Sequence, residues 1–74
     1  MEALKKAIKK AGSQREFARI CGVSQAAVSK WLNGISKIGE DKAILAEQAL
    51  NGQVTCEELR PDVNWSVLRK RHGG

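Results

Sequence analysis

The sequence predicts an all-α fold, a compact domain of four to five short helices that contains a helix-turn-helix. Apolar residues recur at three- and four-residue spacing, which is typical of helices with one buried face. Residues that start or end helices bound each of these stretches, and no long stretch alternates with the period of two expected of a strand. With 74 residues, of which 42% are hydrophobic, the chain is long enough for one domain with a small core.

The first predicted helix lies in the stretch EALKKAIKKAG and ends at Gly12. Alanine, leucine and isoleucine share one face of this helix, and lysines occupy the other. We expect a solvated lysine face, and the alternative is that one or two of its members contact DNA phosphates: Lys5, Lys6, Lys9 and Lys10.

Ser13 starts the second predicted helix. Because it precedes Glu16 by three residues, the two fit a capping box, in which each side chain bonds to the other residue's backbone N–H. Gly22 ends the helix. Its packed face is expected to consist of Phe17, Ala18 and Cys21.

The second and third helices have the spacing of a helix-turn-helix over residues 14–33. The third helix, QAAVSKWL, has Ser24 as its N-cap and ends at Asn33 and Gly34. Gly22 lies where the chain must turn sharply, so we expect a positive φ there. The residues expected to set the angle between the two helices are Ala18, Gly22, Val28 and Trp31, together with Val23 and Leu32.

A fourth and a fifth helix complete the predicted domain. The fourth runs from about Glu40 to Leu50 and has acidic residues in its first turn, where they favour a helix. Thr55 and Glu58 repeat the capping-box spacing at the start of the fifth helix. Pro61 limits that helix to about a turn and a half.

The outward face of the third helix carries short and polar side chains, as a helix inserted into a DNA groove requires. Gln25 matches the hydrogen-bonding edge of adenine, the Ala26 methyl group suits that of thymine, and Lys30 suits guanine or a phosphate. Gln14 is placed to contact a backbone phosphate from the start of the second helix. An ordinary helical hairpin with a polar outside is the alternative. The predicted DNA-binding residues are Gln14, Ser24, Gln25, Ala26, Ser29, Lys30 and Asn33.

Charge is distributed unevenly along the chain, whose formal net charge is +5. Residues 1–37 hold eight basic and two acidic residues, whereas residues 38–65 hold two basic and six acidic residues. This asymmetry is typical of nucleic-acid-binding proteins, and a solvated surface of uneven charge is the alternative. A second basic cluster follows near the end of the chain, at Arg69, Lys70 and Arg71.

We expect residues 1–65 to form the DNA-binding domain and residues 66–74 to form a basic, flexible tail. One short helix covers only part of a turn of the DNA groove, so we expect a homodimer that contacts two half-sites. Packing of Trp65 onto its own domain is an alternative to its use in the dimer. The candidate dimer interface consists of Val63, Trp65, Val67 and Leu68.

Several kinds of site are not expected. Two cysteines are too few for a disulfide scaffold, and a single histidine, His72, indicates no metal-ligand cluster. No nucleophile–base pair suggests an enzyme, and no motif suggests a cofactor. Because no stretch has the length of a membrane span and no signal peptide opens the chain, we expect a cytoplasmic protein that joins the nucleoid when it binds DNA.

The stretch SQREFARICGVSQAAVSKWLNG resembles the helix-turn-helix of lambdoid-phage Cro and repressor proteins. A second stretch, GQVTCEELRPDV, extends the resemblance to roughly residues 3–65. Over this length the sequence is similar to one group, the Cro-like YdaS antitoxin family. The resemblance implies a prophage-encoded transcriptional regulator that binds operator DNA, usually as a dimer. We expect this regulator to be a repressor that binds palindromic double-stranded DNA over a promoter and blocks RNA polymerase. The positions that the resemblance assigns to DNA contact are Gln14, Gln25, Ala26, Ser29 and Lys30.

Two questions remain open at the level of sequence. The first is an alternative function, that of an antitoxin. In this role the chain would neutralise a toxin partner through its acidic helices or residues 63–72, and it would regulate its own operon by binding DNA. Cys21 stands where such motifs commonly have Leu or Met. We expect a buried thiol there, with redox sensing as the alternative.

Overall fold

The computed structural model describes residues 2–67 and places five α-helices along them. Residues 65–67 are also helical, and the described part of the chain contains no strand. The predicted all-α class is therefore confirmed. Most of the predicted basic tail, with Leu68 and His72, lies outside the described residues. The helices are α1 (Glu2–Ala11), α2 (Gln14–Cys21), α3 (Gln25–Leu32), α4 (Glu40–Ala49) and α5 (Cys56–Leu59).

The core is built around α2, which packs against α1, α3 and α4, while α5 packs against α4 and α1. The rings of Phe17 and Trp31 meet edge to face, with centroids 6.4 Å apart and an interplanar angle of 84°. This contact joins α2 to α3 at an orientation that aromatic quadrupoles favour. The largest side chains that are fully buried belong to Phe17, Leu4, Leu59, Val28 and Val54.

The turn between α2 and α3 is built as expected at its glycine. Gly22 has φ 70° and ψ 34°, in the left-handed region, so the predicted positive φ is confirmed. The N–H of Gly22 donates to the carbonyl oxygen of Arg19 at 3.2 Å, and that of Val23 donates to the carbonyl oxygen of Ala18 at 3.0 Å. These bonds satisfy carbonyl groups at the end of α2 and direct the chain into α3.

The two predicted capping boxes have different outcomes. At α5 the box is complete, because Thr55 Oγ1 accepts from the N–H of Glu58 at 3.3 Å and Glu58 Oε1 accepts from the N–H of Thr55 at 3.1 Å. At α2 the prediction is half wrong. Ser13 Oγ accepts from the N–H of Glu16 at 3.1 Å, but the carboxylate of Glu16 bonds to Arg19 instead of the N–H of Ser13.

Arg60 fastens the segment after α5 to the loop that follows α3. Its Nη1 donates to the carbonyl oxygen of Ile38 at 2.7 Å, and its Nε and Nη2 donate to the two carboxylate oxygens of Asp62 at 2.9 and 2.8 Å. The side chain of Arg60 is only 15% exposed. Its guanidinium holds the pKa of the Asp62 carboxyl well below its usual range. Arg60 thereby fixes the loop between α3 and α4.

Cys21 lies in the core, where its Sγ is 3.9 Å from the carbonyl oxygen of Lys42. Burial raises the pKa of the Cys21 thiol to about 11, although the charge of Lys42 opposes this shift. The thiol is therefore protonated near neutral pH, which favours the buried structural thiol over a redox sensor. Cys56 is also buried.

No helix in residues 2–67 is long and apolar enough to cross a membrane.

Candidate nucleic-acid interface

The third helix presents different residues to the core and to solvent. Val28 and Trp31 are buried on the inner side, where they pack with α2. Gln25, Ala26 and Lys30 are exposed, and Ser29 is half-buried. Val28 and Trp31 are three residues apart, so they share the face of α3 that turns to the core. The opposite face, which is exposed, carries small and polar side chains.

Ser24 holds the first turn of α3 in place. Its Oγ accepts from the N–H of Ala27 at 3.2 Å, so one of the unpaired amides of that turn is satisfied by the N-cap. The hydroxyl proton of Ser24 remains available as a donor, and its side chain is exposed. The first turn of α3 contains no acidic residue, which leaves the positive end of the helix dipole uncompensated there.

The start of α2 carries a basic residue and lies close to the start of α3. Gln14 is the first residue of α2 and is half-buried, and Arg15 after it is exposed. Arg15 and Gln25 line one open concavity of about 550 Å³ between the two helices. The structure thus brings the starts of both helices to one surface, on which amides and basic side chains can meet a DNA backbone.

Glu16 is the single acidic residue within 14–33, and its charge is balanced by Arg19. The hydrogen bonds and charge of Arg19 hold the pKa of the Glu16 carboxyl below its usual value. Lys30 forms no ion pair with any residue of the described range, and its side chain is exposed. The surface around α3 therefore offers net positive charge to solvent.

The predicted structural residues of the motif lie between the two helices or in their turn. Ala18, Val28 and Trp31 are buried, and Gly22 forms the turn. Val23 and Leu32 are partly buried against the same core.

The residues predicted for a dimer interface do not form one exposed patch. Trp65 is only 3% exposed, and its Nε1 donates to the carbonyl oxygen of Arg60 at 2.7 Å. The ring therefore packs onto its own domain, which is the alternative left open by the sequence. Val63 is partly buried against the core, Val67 is 51% exposed, and Leu68 lies outside the described residues.

Three charged residues matter to this surface that the sequence-based prediction did not include. Arg15 and Arg19 line the concavity beside Gln25, and Arg60 holds the loop that follows α3. Arg15 and Arg19 could have been found from their own spacing of four residues, which places them one helical turn apart on α2. The R-P-D sequence around Pro61 signals a turn, but not the contact that Arg60 makes across 22 residues.

Residues 4–68 match the family model described as "Bacterial toxin YdaS". The chain belongs to the YdaS family. That description names a toxin, whereas the resemblance seen in the sequence implied an antitoxin, so the antitoxin role has no support from the family description. The matched residues include the helix-turn-helix and, apart from the first two residues of α1, all five helices.

Two relatives of this YdaS family member are similar over most of their length. The YdaS protein of Escherichia coli (strain K12), a candidate transcriptional regulator, is 40% identical over 68 residues, which are 92% of this chain and 69% of that protein. The structure of a Cro protein from a candidate prophage element, Xfaso 1, in Xylella fastidiosa strain Ann-1 superposes with a TM-score of 0.75. It is 41% identical and covers 85% of this chain and 95% of its own. Both similarities support a role in regulating transcription.

Proposed function

We propose that this chain is a sequence-specific double-stranded DNA-binding regulator of transcription that inserts α3 into the major groove. The observation that carries the proposal is the division of α3 into a buried side and an exposed side. Val28 and Trp31 fix the helix to the core, and small or polar side chains remain outside to contact base edges. Similarity to a candidate transcriptional regulator and to a Cro protein supports the same function.

The predicted contacts follow from the positions of these side chains. Gln25, at the start of α3, is exposed and has an amide that can pair with adenine. Ala26 is small enough to let the helix approach a thymine methyl group. Gln14 and the first amides of α2 are placed to bind a phosphate. We infer that the bound protein represses by occupying a promoter and excluding RNA polymerase.

We further propose that the protein binds a palindromic operator as a homodimer. The eight residues of α3 span about 12 Å, which is far less than one turn of DNA. Two such helices that contact half-sites about 34–36 Å apart would supply the missing specificity. Val67 is exposed and apolar, so it is the described member of the predicted interface that can still contact a second chain.

Selection of duplexes from a random DNA pool tests this function directly. We expect an enriched site with two-fold symmetry and a half-site spacing of about one helical turn. The proposal would be contradicted if no duplex were enriched, or if the enriched duplexes contained symmetric half-sites with no preferred spacing between them. Sedimentation of the unchanged protein and of Val67→Ser tests the dimer. If the variant has the same dimeric mass as the unchanged protein, Val67 does not contribute to the interface.

Substitutions in α3 test which residues give specificity. Gln25→Ala and Ser29→Ala are each expected to lower the preference for the selected duplex over a scrambled one by about 1–3 kcal/mol, because each removes a base contact. Lys30→Ala is expected to weaken binding to both duplexes and to reduce its salt dependence. Gln48→Ala, at an exposed glutamine of α4, is the matched control and should change neither property.

A role in a toxin–antitoxin pair is the second candidate, favoured by the family description. The family description names a toxin, whereas the sequence resemblance implies an antitoxin, which would neutralise a partner protein and regulate its own operon by binding DNA. Expression of this chain and of its neighbouring gene, separately and together, distinguishes the roles. A toxic neighbour that this chain rescues supports an antitoxin, and a chain that is itself toxic supports a toxin. Harmless expression of both contradicts the second candidate.

A further inference from the structure

The concavity between α2 and the start of α3 has two arginines in its lining that the predicted DNA-binding set does not contain. Gln25, the first residue of α3, lines one side of this concavity, and Arg15 and Arg19 of α2 line the other. The side formed by α2 adjoins Gln14, the proposed phosphate contact. The concavity thus lies between the helix proposed to contact bases and the helix end proposed to contact the backbone.

Glu16 orients Arg19 at this concavity. Nε and Nη2 of Arg19 both donate to Glu16 Oε2, at 3.0 and 2.8 Å. Nη1 donates to no residue in the described range, and the side chain of Arg19 is 73% exposed. The pair therefore uses Nε and one N–H of Nη2, and it leaves Nη1 and the second N–H of Nη2 without a partner in the described range.

We propose that Arg19 binds a DNA backbone phosphate next to the base contacted by Gln25, and that Glu16 is the positioning residue that orients the guanidinium for this contact. The inference rests on the proposed DNA-binding function. The open edge of Arg19 presents two parallel N–H groups, which is the geometry with which a guanidinium binds two phosphate oxygens. The concavity, at about 550 Å³, leaves room for a phosphate between the helices.

Glu16 has a second effect on the same surface, which is repulsion. Arg19 lowers the pKa of the Glu16 carboxyl, so this group is ionised near neutral pH. A carboxylate beside the backbone repels every DNA phosphate, and the charge of Arg19 offsets this repulsion at the phosphate that Arg19 contacts. Glu16 therefore lowers the affinity for DNA in general and raises the preference for the register in which Arg19 meets its phosphate.

The simpler account is that Glu16 and Arg19 only stabilise α2 as a pair one turn apart. That account predicts small changes in the unfolding midpoint and no specific change in DNA binding. The slope of log affinity against log salt separates the two accounts, because it counts phosphate contacts and does not respond to a helix-stabilising pair.

The experiment measures fluorescence anisotropy with two duplexes at several salt concentrations. One duplex is selected from a random pool by the unchanged chain, and the other is a scrambled duplex of the same length and composition. Arg19→Gln is expected to lower affinity for the selected duplex roughly tenfold and to reduce the salt slope by about 0.9. Arg19→Lys keeps the charge without the two-pronged contact, so it should keep the slope and lose part of the affinity.

Glu16→Gln keeps Arg19 charged but removes the carboxylate that orients it. We expect affinity for the scrambled duplex to rise about threefold and the ratio between the selected and scrambled duplexes to fall about threefold. Thermal unfolding of each variant shows whether the fold is retained, and both residues are exposed or half-exposed.

Two matched variants control for net charge. Lys6→Gln removes one positive charge from α1, and Lys6 is outside the proposed DNA contacts because its Nζ pairs with Glu58 of α5 at 3.6 Å. Asp41→Asn removes one exposed carboxylate from the first turn of α4. Both should change affinity less than about twofold. If Arg19→Gln behaves like Lys6→Gln, the phosphate contact is wrong. If Glu16→Gln behaves like Asp41→Asn, the positioning role is wrong.

The outcomes also separate this inference from the function on which it rests. If the unchanged chain selects no duplex, or binds the selected and scrambled duplexes equally, the proposed DNA-binding function itself fails. If the unchanged chain discriminates between them and Arg19→Gln matches its control, only the inference about Arg19 fails.

Discussion

Two helices of this chain begin with the same spacing of a hydroxyl residue and a glutamate, yet their carboxylates bond to different partners. Glu58 bonds back to the N–H of Thr55 and completes the cap of α5. Glu16 turns away from Ser13 and bonds to Arg19. The same local pattern therefore contributes to folding at α5 and to the charged surface beside α3 at α2.

The difference extends to the surrounding charges. In residues 55–65, which we call the closing segment, Arg60 is largely buried and bonds to Ile38, Glu40 and Asp62. In α2 and α3, which we call the motif helices, Arg15 and Lys30 are exposed, without an ion pair in the described range. We infer that Arg60 and Asp62 of the closing segment mainly stabilise the fold, whereas Arg15 and Lys30 of the motif helices are free to bind a partner.

Among the tests of this comparison, substitution of Arg60 is expected to have the largest effect, which is a loss of stability. Arg60→Leu removes the hydrogen bonds to Ile38 and Asp62 and should lower the free energy of unfolding by about 2–3 kcal/mol. Urea unfolding followed by tryptophan fluorescence measures this, because both tryptophans are buried. Lys37→Leu is the matched control, since Lys37 is an exposed cation 3.5 Å from Asp62 and should contribute less than about 1 kcal/mol. Equal losses in both variants would contradict the special role of Arg60.

The next effect compares the two N-caps. Thr55→Ala and Ser13→Ala each remove a side-chain acceptor for a backbone N–H, so each should lower the free energy of unfolding by about 1 kcal/mol. Thr55→Ala should cost more, because Thr55 Oγ1 also donates to Glu58 Oε1 at 3.3 Å and the complete box is disturbed. Equilibrium unfolding measures both variants, and a larger loss for Ser13→Ala would reverse the comparison.

The helices and their ends could be predicted from the sequence because the signals are local. Gly22 needs only its place after an apolar helix to predict a positive φ, and Ser24 needs only its place before the next helix to predict an N-cap. Glu16 could not be assigned in the same way. Its spacing suits both a capping box with Ser13 and an ion pair with Arg19, and the stronger charge-assisted bonds formed.

Contacts between distant parts of the chain were beyond local signals. The apolar pattern around Trp65 fits a dimer interface as well as a core position, and only the packed domain shows the ring buried against its own chain. Arg60 likewise contacts Ile38 across 22 residues. The predicted site on α3 lies on a single helix, so helical periodicity is enough to predict its exposed face. The position of Arg15 and Arg19 beside Gln25 depends on the angle between α2 and α3, which the sequence does not specify locally.

The smallest expected effect is a loss of folding stability at acidic pH. The pKa of Asp62 is lowered chiefly by its hydrogen bonds to Arg60, and that of Glu58 chiefly by the N–H of Thr55. A carboxyl whose pKa is lower in the folded state than in the unfolded state contributes stability above the unfolded pKa, and this contribution is lost as the pH falls through the folded pKa. The stability of the protein should therefore decline as the pH falls below about 4, the ordinary range of these groups.

Arg60→Leu isolates the part of this decline that belongs to Asp62. The variant lacks the guanidinium that lowers the pKa of Asp62, whereas Glu58 keeps its bond to the backbone of Thr55. The difference in unfolding free energy between the unchanged protein and the variant should thus be full near pH 7 and narrow below about pH 4. Urea unfolding at fixed ionic strength from pH 7 to pH 2.5 measures the difference. A constant difference across this range would show that Arg60 stabilises the closing segment through Ile38 and not through Asp62.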